Sequence, residues 1–177
     1  MRKINLAYWG FAISATLATA NVSAAITGQV DVKLNVSSGC TVDNSSENGG
    51  INKFGTIDFG KTSSTWENIL TAEVASSANG GDITVTCDSG VSGFNVSVDG
   101  GEKGDRQLTN GTDNVPYNIY QDAARSKLYE INTPVAFATT GTTSSSVKIP
   151  LYGAVPKNIN PVSDGDYKDT LLVTVTF

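Results

Sequence analysis

Residues 25–36, AITGQVDVKLNV, alternate apolar and polar side chains with a period of two. On an extended chain Ile26, Gly28, Val30, Val32, Leu34 and Val36 share one face, and Thr27, Gln29, Asp31, Lys33 and Asn35 share the other. This is the pattern of a β-strand with one dry side and one wet side. The segment follows directly on what reads as an export leader, so no earlier hairpin partner is expected for it. Its apolar row must therefore find a sheet edge in its own domain or in another molecule, and the second case makes the protein a polymer subunit.

Upstream, Arg2 and Lys3 supply a positive start and LAYWGFAISATL (residues 6–17) an apolar middle, of the roughly 7–15 residues usual for a secretory leader. Val22-Ser23-Ala24 is a small-residue cleavage site, so residues 1–24 are expected to be a signal peptide and the mature chain to begin at Ala25. Read as a membrane span, this stretch is too short and too rich in Ser, Thr and Gly. The rest of the 177 residues is enough for one domain with a sizeable core. The formal charge of −5 becomes more negative by two when Arg2 and Lys3 leave with the leader, which disfavours nucleic acid and anionic membrane as partners.

Downstream, Cys40 and Cys87 are the two cysteines of the chain, and an even count in an exported protein predicts a disulfide. Short alternating runs separated by Gly, Asn, Asp and Ser predict an all-β sandwich. The expected strands are 51–59, 69–75, 82–87, 94–98, 117–121, 136–139, 147–152 and 167–177. Gly49-Gly50, Asn79-Gly80-Gly81, Asp99-Gly100-Gly101, Asn110-Gly111 and Asp164-Gly165 are the turns between them. Ser64 and Glu67 have the spacing of a helix capping box. The alternation of Leu70, Ala72 and Val74 against Thr71 and Glu73 nevertheless predicts a strand there. At the far end, Leu171, Val173, Val175 and Phe177 point one way and Thr170, Thr174 and Thr176 the other, with Leu172 breaking the rule. A final strand without a successor is expected to leave an unpaired edge with a stripe of core beside it.

Histidine is absent, which excludes His-based triads, His metal ligands and His general bases. With both cysteines oxidised, thiolate chemistry and Cys-ligated zinc fall away too. Asp99, Glu102 and Asp105, with Lys103 and Arg106, form a charged Gly-rich loop that lacks the regular ligand spacing of a calcium site. The expectation there is a solvated turn. Asp122, Arg125 and Lys127 are expected to form a wet hairpin turn between packed Tyr117, Ile119 and Tyr120. Sequons at Asn35, Asn44, Asn95 and Asn110 are coincidences of a chain rich in Ser, Thr and Asn. No cofactor or metal is called for, and the chain is not expected to be an enzyme.

The segments AITGQVDVKLNVSSGCTV, INKFGTIDFGKTSSTW, GGDITVTC, DGGEKGDRQL, YNIYQDAARSKLY and GDYKDTLLVTVTF together resemble the spore coat protein U domain family. Within it they resemble the rod subunits of Csu-type archaic chaperone–usher pili of Gram-negative bacteria. The resemblance implies an incomplete immunoglobulin-like β-sandwich completed by donor-strand complementation. A periplasmic chaperone lends a strand until an outer-membrane usher exchanges it for the N-terminal extension of the next subunit. On this chain residues 25–36 become the donor strand, with Ile26, Val30, Val32, Leu34 and Val36 as plugs and Gly28 over a shallow pocket, and residues 37–177 become the pilin domain. The acceptor groove and chaperone-facing edge fall at Leu171, Val173, Val175 and Phe177. The implied partners are copies of itself, other pilins, the chaperone and the usher, and the implied location is a surface pilus serving adhesion and biofilm formation. A tip adhesin or lectin-like binding module is the alternative. Such a subunit is expected to carry a further N-terminal binding domain, so a shaft role is the expectation. A carboxylate enzyme folded on its own tail, and a spore coat component, are further rivals.

Overall fold

In a computed structural model the described residues are 29–35, 38–43, 52–78 and 81–177. The expected leader (1–24), the donor positions Ile26, Gly28 and Val36, and the turns at Gly49-Gly50 and Asn79-Gly80 lie outside them. The chain divides between Asn35 and Val36. Residues 29–35 form no helix or strand.

The body is all-β, with no helix among its described residues. Its strands are β1 (Cys40–Val42), β2 (Gly55–Ile57), β3 (Leu70–Ser76), β4 (Ile83–Cys87), β5 (Gly93–Val98) and β6 (Gln107–Thr109). They continue with β7 (Asn114–Pro116), β8 (Asn118–Tyr120), β9 (Val135–Ala138), β10 (Ser145–Ile149), β11 (Tyr152–Val155) and β12 (Val173–Thr176). The sheets run β1-β4-β10, β2-β3-β11-β8 and β12-β5-β9, with β6-β7 as a separate hairpin. Every ladder between these strands is antiparallel. Alternation dictates which side chains go inside: Ile83, Val85 and Cys87 of β4, and Phe94, Val96 and Val98 of β5, are buried while their neighbours are not. They meet Tyr129, Ile119, Ile149, Leu151 and Val155 in one core cluster. Cys40 and Cys87 stand directly opposite each other in the β1–β4 ladder and are joined by a disulfide. Closing a loop between positions 47 apart stabilises the fold by about 4 kcal/mol on the chain-entropy model.

The structure departs from the sequence expectations in places where pairing, not alternation, decides. The expected strand 147–152 is two strands in different sheets, because Pro150 has no N–H to donate and cannot continue the ladder of β10. The expected strand 51–59 shortens to β2. The hairpin β6–β7 was not expected as strands, and neither was β1, since three-residue runs give too few alternations to register. The Ser64–Glu67 spacing caps no helix. Trp66 instead pairs its backbone with Asn158, and its indole donates to the Pro156 carbonyl at 2.7 Å. Of the expected strand 167–177, only β12 is laddered, although in-and-out alternation persists from Tyr167 to Thr176.

Candidate functional site

Among the described residues two features carry apolar side chains that are exposed or only half-buried. The first is the tail. Val30, Val32 and Leu34, the described members of the row read from the sequence, are 85, 91 and 86% exposed. On its polar side Gln29 Nε2 donates to Asp31 Oδ1 at 2.9 Å. Fully burying three such aliphatic side chains is worth roughly 1.5–3 kcal/mol each, a driving force the tail does not satisfy itself.

The second feature is the edge of β12. This strand is laddered to β5 on one side, with Val173 opposite Val98 and Val175 opposite Val96, and to no named strand on the other. Leu171, Val173 and Val175 face inward and are half-buried against the core. Leu172, the residue that broke the pattern, points outward and is 56% exposed. Phe177 shares the inward parity but is 64% exposed. Its ring lies 3.4 Å from where a Cβ on Gly39 would sit, so the end of this run meets the start of β1. At the other end of the run, Tyr167 helps line a cleft of about 480 Å³ with Ile57, Phe59, Trp66, Leu70 and Val162. What stands at the β12 edge itself is the half-buried row Leu171, Val173 and Val175.

The charged loops turn out to be structural. Arg106 was expected in a solvated turn but is 3% exposed, with φ of 56°. Its guanidinium donates to the carbonyls of Tyr129 at 2.6 Å, Asp99 at 3.1 Å and Val98 at 3.3 Å. Burial pulls its pKa below the ordinary guanidinium value, against the opposing pull of Tyr117, Asp99 and Glu130. A buried cation must be satisfied by acceptors, and three backbone carbonyls bond it directly here. Arg125 is likewise only partly wet. It donates to the Gly153 carbonyl at 3.0 Å and lies over the Tyr152 ring at 5.9 Å. Asp122 accepts from the backbone of Lys127 and from Ser126, bonds that hold its carboxyl below the usual range.

Asp169 is the residue that sequence reasoning missed. Its Oδ1 accepts from Glu102 N and Thr170 N, each at 2.8 Å, and its Oδ2 accepts from Tyr117 Oη at 2.5 Å. Desolvation first, and then the Asp169 bond, push the Tyr117 hydroxyl well above its ordinary pKa. Tyr129, fully buried, is pushed up to about 12 by burial. The readable signal was the parity of Asp169: a carboxylate on the inward face between Tyr167 and Leu171 must be satisfied by protein donors. Among the described residues no three His, Cys, Asp or Glu side chains group as metal ligands, and the loop carboxylates whose partners are given above serve as acceptors for backbone N–H groups.

The sequence pattern of the Spore Coat Protein U domain matches residues 26–174. No curated protein matches the chain. Among solved structures it is similar to one in the crystal structure of the CsuC–CsuE chaperone–tip adhesion subunit pre-assembly complex from archaic chaperone–usher Csu pili of Acinetobacter baumannii. Identity is 15% and the TM-score 0.43, with 80% of this chain and 40% of that chain covered. The present chain therefore spans well under two thirds of the length of that relative.

Proposed function

The chain belongs to the Spore Coat Protein U domain family, and from that premise we propose that it is a structural subunit of a chaperone–usher pilus. Each copy donates residues 25–36 to the open edge of the next, head to tail, and the fibre so formed serves adhesion and biofilm formation. The observation that carries this reading is the coexistence, among the described residues, of an exposed apolar row (Val30, Val32 and Leu34) and a strand, β12, laddered on one side only with half-buried apolar residues on it. An exposed row of that kind is a standing liability unless a partner covers it. Strand addition satisfies both features at once, with backbone hydrogen bonds for affinity and alternate side chains in pockets for register. Burying Ile26, Val30, Val32, Leu34 and Val36 would contribute roughly 8–15 kcal/mol before ordering costs. Donor and acceptor are different surfaces, so the contact is heterologous and propagates instead of closing. Asp31 and Lys33 help hold the register, since a one-residue slip would turn them inward.

Within this reading, residues 1–24 direct export, a periplasmic chaperone covers the β12 edge until assembly, and an outer-membrane usher releases the subunit into the fibre. We assign it to the shaft because a subunit with its own donor segment can extend a chain in both directions. The test uses purified mature protein carrying Val32→Asp, which cannot donate, mixed with a synthetic peptide AITGQVDVKLNV. Stoichiometric binding and a rise in melting temperature are expected. A stable monomer that ignores the peptide would overturn the proposal, and strong surface attachment by the unpolymerised protein would favour a tip role.

A further inference from the structure

The run that ends in β12 does not keep one partner along its length. Lys168 pairs with Thr109 of β6 through reciprocal backbone bonds of 2.9 and 3.0 Å, and the ladder to β5 begins only at Val173. Between them, residues 169–172 belong to no ladder among the described residues, yet burial still alternates through the crossing. Two carboxylates span this gap. Asp99 Oδ1 accepts from Leu172 N at 2.9 Å while Asp99 N donates to the Leu172 carbonyl at 3.1 Å. From the other side Asp169 takes Glu102 N, Thr170 N and Tyr117 Oη.

The loop is shaped for this task. Gly101 has φ of +77°, and a Cβ there would sit 1.9 Å from Asp169 Oδ2, so both the backbone turn and the close approach require glycine. Buried Arg106 fixes the base of the loop by donating to the Asp99 and Val98 carbonyls. The Asp99 carboxylate is therefore held at both its backbone and its side chain.

We infer that Asp99 and Asp169 are positioning residues for strand addition: they keep residues 169–172 in line with β12 before any partner arrives. The inference rests on the reading of β12 as the acceptor edge. An incoming strand needs consecutive N–H and C=O groups in one row. If the crossing frayed, the partner would have to order it at the moment of binding, which slows association and weakens affinity. The carboxylates remove that cost in advance.

The test takes the full mature chain in the Val32→Asp background and measures association of labelled AITGQVDVKLNV together with amide exchange at Glu102 and Leu172. Asp169→Ala should slow association by roughly tenfold, the scale of one lost hydrogen bond to a charged group. Asp169→Asn should fall between it and the parent, because an amide oxygen still accepts. Val85→Ala, a core truncation in β4, serves as the stability control. It should lower the melting temperature at least as much and leave association within about twofold, since its effect lies in packing. Exchange at Leu172 should accelerate in Asp99→Asn and Asp169→Ala and not in Val85→Ala. Should Asp169→Ala fail to fold, Asp169→Asn and Asp99→Asn decide. Slowing that tracks melting temperature in every variant, Val85→Ala included, overturns the inference. So does an Asp169→Ala chain that binds as fast as its parent. A parent that takes no peptide, while exchange still loosens in the variants, overturns the acceptor reading and with it this role.

Discussion

Val30, Val32 and Leu34 in the tail, and Leu171, Val173 and Val175 toward the end of the chain, are both apolar rows of period two, but their fates differ. The first row is almost fully exposed, without a ladder. The second is half-buried, and its last two members are laddered to Val98 and Val96 of β5. The code is the same and the neighbourhood is not. Alternation tells a side chain which face it shares with others; only a partner strand tells it whether that face is dry. Among the described residues one row is exposed and the other is laddered on one side, and the proposed strand addition rests on that difference.

The sharpest way to break this comparison is a charge in the tail. Val32→Asp should abolish fibre formation, seen as loss of high-mass species on sedimentation, with the melting temperature of the body unchanged. Val32 is 91% exposed, so an equal loss of folding would count against the division of labour between donor and body. The reciprocal substitution, Val173→Asp, places a carboxylate in the half-buried row. Destabilisation by more than about 2 kcal/mol is expected from an unpaired buried charge, together with loss of chaperone capture. Normal secretion of that variant would remove β12 from the groove. Replacing Cys40 and Cys87 by Ser should cost about 2–4 kcal/mol in denaturant unfolding and leave peptide binding intact in the folded fraction.

How much of this was legible follows the same distinction. The inward and outward sides of β3, β4, β5 and the final run up to Thr176 are as the two-residue period predicts, because alternation is written locally, whereas Phe177 keeps the inward parity and is exposed. The disulfide was legible from the even count of cysteines in a chain expected to be exported. Which strands pair was not. Pro150 splits one apolar run between two sheets, and the sequence 147–152 has no feature other than that proline to say so. The shortest strands, β1, β6 and β7, are held by ladders formed with distant residues, so three residues of sequence could not announce them. Arg106 was misread for a related reason. A charged side chain in a Gly-rich loop is ordinarily wet, and only the fold brings the carbonyls of Val98, Asp99 and Tyr129 around it. Asp169 sat in plain view on the inward parity, but its donors come from Glu102 and Tyr117, far away along the chain.

The smallest effect is the finest discriminator, because it compares neighbours. Leu171 and Leu172 are chemically identical and adjacent, yet Leu171 joins the core-facing row and Leu172 points out. Leu172 is held through its backbone, by the Asp99 carboxylate and by Asp99 N, and those bonds do not depend on its side chain. Leu172→Ser should therefore shift stability by no more than about 0.5 kcal/mol, the usual range for an exposed position. Leu171→Ser removes apolar area from a half-buried site and should cost at least about 1 kcal/mol. Chemical denaturation of the two variants side by side measures the difference. Were Leu172→Ser the costlier of the pair, the crossing at 169–172 would present its opposite face, and the half-buried row that Leu171 shares with Val173 and Val175 would have to be redrawn one residue out of register.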